Sequence, residues 1–360
     1  MKIFFDCRYV KTDGSHDGIA RYSERLVASL GAGHDVTMLI NDERQLAVLP
    51  DLPWKRISSP TSPLEILVAR EVNKLKPDVV FSPMQTMGSF GRRYPLVLTL
   101  HDLIYYRHRT PPRSMPTWLR LLWRIYHLAW WPQRLLLNGA DAVVTVSETT
   151  KGLMEEHRLT RRPIEVVYNA ADGATVGAGT GTRTRPDGGV LVYMGAFIGY
   201  KNVEALVRAA ARLPGYELHL LSRVSDADRR RLTALAPDAR LVFHNGVTDE
   251  EYAEILSRAT ALLTASLDEG FGIPVIEAMR AGTPAVVSDI PIFREIGGDA
   301  AIYVDPHDDA SIVDGIRSLE DPDAWKTRSV AGVTQASKFS WTASAEVLNA
   351  LLERVATRPH

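Results

Sequence analysis

Short apolar runs rich in β-branched residues alternate along this chain with longer stretches of amphipathic, helical pattern. In the first half these runs lie at 2–5, 35–40, 78–83, 96–102, 142–147 and 164–168. Helical patterns separate several of them, notably at 19–30, 63–75 and 116–138. In the second half the apolar runs lie at 190–195, 217–222, 240–246, 261–266, 285–289 and 301–305. A strand that is buried on both faces is a continuous apolar run, and alternation with helices is typical of parallel sheets. The pattern predicts an α/β protein with two doubly wound sheets.

The two halves are separated by the stretch 171–189, which contains no aromatic residue, leucine or isoleucine. Such a stretch cannot form a core of its own, so we interpret it as a flexible linker. It divides a first domain at 1–170 from a second at 190–340, with a cleft expected between them. Ligands of doubly wound sheets bind beyond the carboxyl ends of the strands, so the informative residues should follow the strands.

Composition excludes several classes of protein. The chain has 360 residues and a formal net charge of −1, which argues against a surface built to attract nucleic acid. Its single cysteine, Cys7, excludes an internal disulfide and a cysteine-based zinc site, and suits a reducing compartment. The N-terminal residues are typical of a first strand rather than a signal peptide, and no apolar run is long enough to span a membrane. We therefore expect a cytoplasmic enzyme.

In the first domain, glycines and a histidine follow two of the predicted strands. Gly14 and Gly18 are expected in a loop before a helix that begins near Ile19. Glycine there lets backbone amides approach a phosphate or a sugar, although loop glycines are more often ordinary turn residues. His101 and Asp102 end the strand at 96–102, where a binding role and a structural role are equally open.

In the second domain, two cations follow neighbouring strands. Lys201 precedes a helix that we expect to be capped near Asn202. A lysine beside a helix N-terminus is poorly placed for the helix dipole unless an anion lies there too, and a diphosphate would supply that anion. A solvated lysine in a loop is the alternative. Arg223 follows the next strand and is a second candidate cation.

The stretch EGFGIPVIEAMRAGTP, at 269–284, carries two carboxylates eight positions apart. Glu269 is expected in a glycine-rich turn after a strand, and Glu277 in the first turn of the next helix. Pro274 suits that first turn, and Gly282 suits the position just past the helix. The helix dipole would explain one glutamate there, but two glutamates that flank a glycine turn indicate a site for sugar hydroxyls.

This stretch, continued by FREIGGDAAIYVDPHD, resembles the donor-binding signature of the family 4 retaining glycosyltransferases. The resemblance covers nearly the whole chain, through Gly18, HDL at 101–103, VSE at 146–148, YKN at 200–202 and FHNGVTDEEY at 243–252. It implies the GT-B fold, in which two Rossmann-like domains face each other across a cleft. The first domain would bind the acceptor and the second a nucleotide sugar, and the final helix, 341–360, would cross back to the first domain.

The resemblance also implies a role for each matched residue. Lys201 would neutralise the diphosphate, Glu269 would hold the hydroxyls of the transferred sugar, and Glu277 would hold the ribose. His101 would lie near the anomeric carbon, and Gly18 would let the first loop approach the diphosphate. The implied contacts to the base and to the rest of the nucleotide sugar are Asn245, Gly246, Val247, Gly270, Phe271, Gly272 and Ile273.

One position departs from the family pattern. Many relatives carry an arginine directly after the glycine of the second domain's first strand, where this chain has Ala196 after Gly195. That arginine shares the diphosphate with the lysine. We hypothesise that Arg223 supplies the missing charge.

The reaction implied is transfer of a hexosyl unit from a nucleotide sugar to a hydroxyl of a glycan or lipid-linked acceptor, with retention of the anomeric configuration. GDP-mannose is the leading candidate, and UDP-, dTDP- and ADP-sugars are alternatives. A nucleotide-sugar epimerase or hydrolase, or a non-catalytic sugar-nucleotide-binding protein, would be compatible with the same fold. We expect no metal cofactor, because DAD at 226–228 and DPD at 321–323 fall at predicted helix starts, where aspartate is a favoured cap.

The segment 103–140 contains no aspartate or glutamate, but it is rich in arginine and tryptophan. Arginine with tryptophan on an amphipathic helix suits the interface of an anionic membrane. A lipid-linked acceptor would give the enzyme a reason to be peripheral on the inner face of the plasma membrane. The alternative is a packed domain helix whose arginines extend to water.

Overall fold

A computed structural model describes residues 1–12, 18–111, 116–171 and 183–357 of the chain. Gly14 and most of the predicted linker, at 172–182, therefore lie outside the described residues. The chain divides into two compact units, the first formed by Met1–Asn169 with Phe339–His360 and the second by Ala170–Lys338.

Unit 1 contains a seven-stranded parallel sheet with the order β3-β2-β1-β4-β5-β6-β7. Its strands are β1 (Ile3–Asp6), β2 (Val36–Ile40), β3 (Trp54–Arg56), β4 (Val79–Ser82), β5 (Leu96–Leu100), β6 (Ala142–Thr145) and β7 (Ile164–Val166). All residues of β1, β4, β5 and β6 are buried, which explains why their sequences are continuous apolar runs.

The helices of unit 1 are α1 (Gly18–Gly31), α2 (Val68–Asn73), α3 (Ile104–Arg107), α4 (Thr117–Tyr126), α5 (Trp131–Asn138), α6 (Glu148–Glu156) and, from the end of the chain, α14 (Trp341–Ala356). Short 3₁₀ helices lie at Glu43–Ala47 and Pro63–Leu67. Helix α14 packs against α1, where the rings of Trp341 and Tyr22 lie 6.0 Å apart. Leu348 and Leu352 of α14 are fully buried, and each contributes about 2 kcal/mol of apolar burial.

Unit 2 contains a six-stranded parallel sheet with the order β10-β9-β8-β11-β12-β13. Its strands are β8 (Gly189–Tyr193), β9 (Tyr216–Leu220), β10 (Leu241–Phe243), β11 (Ala261–Thr264), β12 (Ala285–Ser288) and β13 (Ile302–Val304). Its helices are α7 (Val203–Ala211), α8 (Asp226–Leu235), α9 (Asp249–Arg258), α10 (Ile273–Arg280), α11 (Pro291–Gly297), α12 (Asp309–Arg317) and α13 (Pro322–Ala336), with a 3₁₀ turn at Gly199–Lys201. The prediction of two doubly wound parallel sheets is confirmed.

The structure of unit 1 differs from the sequence-based prediction in two places. Strand β3 was not predicted, because it is an edge strand whose three residues are all exposed, so no apolar run marks it. The helical pattern at 116–138 forms two helices instead of one. Pro132 stands in the first turn of α5, where it lacks the N–H that a continuous helix would need, so α4 ends before it.

Candidate active site

The candidate site residues of unit 2 follow four neighbouring strands. Asn245 and Gly246 follow β10, Arg223 follows β9, Lys201 follows β8 and Glu269 follows β11. The carboxyl ends of parallel strands lie at one edge of the sheet, so these loops share an edge. The strand order reverses between β8 and β11, and that switch point is where open α/β sheets bind ligands.

Lys201 and Glu269 meet at this switch point. The Nζ atom of Lys201 lies 2.5 Å from Oε1 of Glu269, and Ser266 Oγ donates a hydrogen bond of 2.9 Å to the same oxygen. The two side chains are only 17% and 13% exposed, so the ion pair is largely shielded from water. The loops after β8 and β11 thus place a cation and an anion in direct contact, with sequence positions 68 residues apart.

The loop that carries Lys201 is fixed by its backbone. The amide of Leu267 donates to the carbonyl of Tyr200 at 2.7 Å, which ties the loop after β11 to the loop after β8. Asn202 stands at the N-cap of α7 with a φ of 49°, but its side chain donates to the carbonyl of Pro306 at 2.7 Å. The N-cap thus lies at Asn202 as expected, but the side chain makes no capping hydrogen bond and joins the loop to the segment after β13 instead.

The glycine-rich turn after β11 has one position that requires glycine. Gly272 is the N-cap of α10 and has a φ of 101°, in the left-handed region that side chains disfavour. A Cβ there would lie 2.8 Å from Cε1 of Phe293. Gly272 therefore permits α10 to begin at Ile273 with its N-terminal amides at the edge of the sheet. Phe271 beside it is buried, and Gly270 is half-buried.

Glu277 lies deeper in the helix than its sequence position suggested. Helix α10 begins at Ile273, which makes Glu277 its fifth residue, and no acidic residue lies in the first turn. Pro274 lies in the first turn as expected, but the expectation of a first-turn glutamate is wrong, because the helix already begins at Ile273 and Glu277 falls just beyond that turn. The helix dipole is weaker at this position, so it explains less of why a carboxylate is there. Gly282, with a φ of 69°, follows the helix as predicted.

The loops after β9 and β10 are joined around Arg223. Asn245 adopts a φ of 58°, and its Oδ1 accepts a hydrogen bond of 3.1 Å from the amide of Val224. Gly246 has a φ of 104°, and a Cβ at this position would lie 3.3 Å from Cγ of Arg223. The close approach of the arginine stem to Gly246 brings three predicted site residues together. Arg223 is exposed, and within the described ranges it forms no ion pair, while Val247 is half-buried.

The departure from the family pattern lies beside this group. The hydroxyl of Tyr193 donates to the carbonyl of Ala196 at 2.9 Å, and the amide of Gly195 donates to Ser222 Oγ at 3.0 Å. A Cβ on Gly195 would lie 2.6 Å from the Tyr193 hydroxyl. Tyr193 and Ser222 therefore shape the loop after β8, and sequence reasoning assigned neither of them a role. Both stand at or just beyond a strand's carboxyl end, which is the signal that could have found them.

The two candidate residues of unit 1 are placed by other contacts. The Nε2 atom of His101 lies 2.7 Å from the carbonyl oxygen of Pro83. A carbonyl can only accept, so Nε2 carries the proton, and Nδ1 of the neutral ring is an acceptor. The ring of Tyr22 packs edge-on against His101 at 5.1 Å. We expected Gly18 in the loop before a helix that begins near Ile19. That position is wrong by one residue, because Gly18 is itself the first residue of α1.

The two Asp-x-Asp sequences lie at helix starts. Asp321 caps α13 by accepting from the amide of Asp323, as expected. At α8 the expectation of an aspartate cap is wrong, because Ser225 is the cap, and Asp228 accepts from Arg231 and from the Ser225 hydroxyl. Among the residues that the structure describes, no group of three or more histidine, cysteine or acidic side chains is arranged to hold a metal ion.

Two family models match successive parts of the chain. The model for Glycosyltransferase Family 4 matches residues 16–174, and the model for Glycosyl transferases group 1 matches residues 182–332. The chain belongs to the family 4 glycosyltransferases. This family 4 chain is 31% identical over 197 residues to the O-antigen chain mannosyltransferase RfbU of Salmonella typhimurium, which covers 53% of the chain and 54% of that enzyme. It is 30% identical over 170 residues to the O-antigen chain mannosyltransferase B of Escherichia coli, covering 42% of each. The aligned part thus spans about half the length of these relatives or less.

Solved structures share the fold of the family 4 chain over almost its whole length. Sucrose-phosphate synthase from Thermosynechococcus elongatus superposes with a TM-score of 0.73 at 20% identity, covering 98% of both chains. HepE of Anabaena, solved in complex with UDP-glucose, superposes with a TM-score of 0.70 at 17% identity, covering 98% of this chain and 100% of that one. These likenesses establish the GT-B fold.

Proposed function

We propose that this protein transfers a hexosyl unit from a nucleotide sugar to a hydroxyl of a glycan or lipid-linked acceptor, with retention of configuration. The observation that carries the proposal is the shielded pair of Lys201 and Glu269 at the switch point of the second sheet. A carboxylate that accepts from both an ammonium and a hydroxyl is fixed in place, and its remaining lone pairs suit sugar hydroxyls. The ammonium beside it suits a diphosphate.

The chain's own part in the reaction would be positioning and charge stabilisation. Glu269 would orient the sugar and Glu277 the ribose, while Lys201 would stabilise the diphosphate as it leaves. A retaining reaction through a covalent intermediate requires a free carboxylate nucleophile. Glu269 is bound to Lys201 and Ser266, which favours a binding role for it and a reaction on one face of the sugar. His101 would orient the reacting groups.

Mannose from GDP-mannose is the proposed substrate, for synthesis of a cell-surface polysaccharide or glycolipid. RfbU and the second O-antigen relative are named mannosyltransferases, and they are the basis for this choice. HepE was solved with UDP-glucose, which keeps UDP-sugars as the alternative. We further propose that no metal cofactor is needed, so activity should survive an excess of chelator.

We predict that GDP stabilises the protein more than UDP, dTDP or ADP does. A ligand present at 100 times its dissociation constant raises the free energy of unfolding by about 2.7 kcal/mol. Thermal unfolding with each nucleotide measures the difference. A larger shift with UDP would reassign the base, and no shift with any nucleotide would contradict a nucleotide-sugar site.

The reaction itself is tested by analysing the products from GDP-mannose with and without a mannose-terminated acceptor. Transfer predicts a glycosylated acceptor that keeps the anomeric configuration and forms only when acceptor is present. Conversion of the nucleotide sugar without acceptor would identify an epimerase or hydrolase. Binding without conversion would identify a non-catalytic protein.

We predict that Arg223→Ala lowers kcat/KM about tenfold, since one charge-assisted contact to a phosphate contributes on the order of 1.5 kcal/mol. Arg223 has no ion-pair partner among the described residues, and it lies against Gly246 after β10, where its charge is available to a ligand. Steady-state kinetics measures the effect, with Arg258→Ala, an exposed residue paired with Glu254, as the control. Unchanged kinetics of Arg223→Ala would show that Arg223 does not replace the arginine absent at Ala196.

A further inference from the structure

Helix α4 has an apolar face that no described part of its own unit covers. None of its residues is buried. Trp118, Leu121, Leu122 and Ile125 are 53 to 66% exposed, and their spacing places them on one side of a helix. Leu128, Trp131 and Leu135 continue the exposure into α5, at 62 to 69%. We call these seven side chains the α4–α5 face.

Exposed apolar side chains are concentrated at the α4–α5 face. Eighteen large apolar side chains are exposed among the described residues, and seven of them lie between residues 118 and 135. Single exposed apolar residues are normal on a protein surface, whereas a contiguous group marks an interaction site. The α4–α5 face is therefore a candidate docking surface.

The opposite side of this helix pair is anchored in unit 1. The ring of Trp130 stacks on Tyr106 at 4.0 Å and on His157 at 4.4 Å. The ring of Trp123 packs edge-on against Tyr105 at 5.1 Å, and the ring of His127 against Tyr106 at 4.9 Å. This aromatic packing holds the helix pair to the unit, so the α4–α5 face is presented on a fixed scaffold.

The charged side chains of the segment that carries the α4–α5 face are all positive. No aspartate or glutamate occurs at 103–140. Arg134 donates to the backbone carbonyls of His157 and Arg158 and forms no ion pair with a described residue. Arg120 and Arg124 on α4 form no ion pair with any described residue. The surface offers apolar side chains flanked by positive charge, which is the complement of an anionic lipid interface.

A second copy of the chain fits this surface poorly. A two-fold contact places the same patch on both copies, so the arginines of each α4 would meet the arginines of the other. With no acid in the segment to pair with them, that contact would bury like charges. An anionic lipid surface takes the same apolar side chains and adds attraction instead of repulsion.

We infer that the α4–α5 face docks the protein on an anionic membrane surface, with the apolar side chains in the lipid interface and the arginines at the headgroups. The biological reason for such docking rests on the proposed function, since a lipid-linked acceptor lies at the membrane surface. In this arrangement the protein lies on the bilayer surface and does not span it. Within the described ranges no helix has both the length and the apolar character to cross one.

The test is sedimentation of the full chain with vesicles of phosphatidylcholine alone or mixed with phosphatidylglycerol. Binding is expected only to the mixed vesicles and should weaken as salt is raised. The triple variant Leu121→Gln, Leu122→Gln, Ile125→Gln should reduce the partition coefficient at least about tenfold. Arg120→Gln and Arg124→Gln should each reduce it about fivefold at low salt. The matched control replaces three other exposed apolar residues, Leu235, Val330 and Val347, by glutamine and should bind as the wild type does.

Equal binding to both vesicle types, no binding at all, or wild-type binding by the α4 triple variant would overturn the inference. Light scattering without vesicles measures the molecular mass and so tests whether a second copy of the chain occupies the face. A dimer that the triple variant dissociates, without vesicle binding, would assign the face to a second copy. Vesicle binding is measured without any nucleotide sugar, and transfer to a short soluble acceptor should be unchanged in the triple variant. Failure of the docking inference is therefore distinct from failure of the proposed reaction.

Discussion

Replacing Lys201 by alanine is expected to lower turnover about a hundredfold, because removal of one charge-stabilising contact to a developing anion raises the barrier by about 3 kcal/mol. The lysine Nζ is held 2.5 Å from Glu269 at the sheet's switch point, with 17% of its side chain exposed. A diphosphate that enters this edge would meet a cation already in position. Steady-state kcat measures the effect, and a loss below about threefold would mean that Lys201 takes no part in the reaction.

A second variant separates the two partners of Lys201. If the lysine served only to neutralise Glu269, the double variant Lys201→Ala, Glu269→Gln would turn over as fast as Glu269→Gln alone. If it acts on the leaving diphosphate, the double variant should be slower than Glu269→Gln alone. Lys338→Ala is the control, because Lys338 in the same unit is exposed, its ammonium donates to Gln335, and it forms no ion pair with a described residue. Thermal unfolding of each variant shows whether the fold is kept.

Replacing Arg8 by methionine is expected to lower the free energy of unfolding by about 3–5 kcal/mol, since it leaves buried carboxylates without their counter-charge. Arg8 follows β1 and uses all five N–H groups, to Asp6 at 2.8 and 3.0 Å, to Glu65 at 2.7 and 2.9 Å and to the carbonyl of Ser58 at 2.9 Å. Burial alone would lower the pKa of Arg8, but the charges and hydrogen bonds of Asp6 and Glu65 outweigh it and raise that pKa above its usual value. The guanidinium therefore stays charged in the fold.

Urea unfolding measures this loss, and Arg44→Met is its control. Arg44 also pairs with an aspartate, Asp42, but both lie at the surface, where such pairs contribute little. A shift for Arg8→Met no larger than for Arg44→Met would contradict the account of the buried network. The prediction concerns stability alone, since every N–H of Arg8 is already used within unit 1.

The strands were predictable because burial on both faces leaves continuous apolar runs. Edge strand β3 was not, because its exposed Trp54, Lys55 and Arg56 carry no such pattern. The break between α4 and α5 was signalled by Pro132, and the helical pattern on both sides outweighed that signal. Glu277 was placed too near the start of its helix because the last loop residue, Gly272, could not be told from the other glycines.

The contact between Lys201 and Glu269 lay beyond sequence reasoning for a different reason. It depends on β8 and β11 being neighbours, and strand order is set by packing of the whole sheet. The sequence indicated that each residue follows a strand, but not which strands lie side by side. The hydrogen bond from Ser266 and the tie between Leu267 and Tyr200 follow from the same neighbourhood.

The most direct test is a crystal structure of the protein with a non-hydrolysable GDP-mannose analogue. We predict that the sugar hydroxyls lie within hydrogen-bond distance of Glu269, the ribose hydroxyls within that distance of Glu277, and the diphosphate beside Lys201 at the carboxyl ends of β8 and β11. An analogue bound at another edge of the sheet, with both glutamates contacting only water, would contradict the assignment.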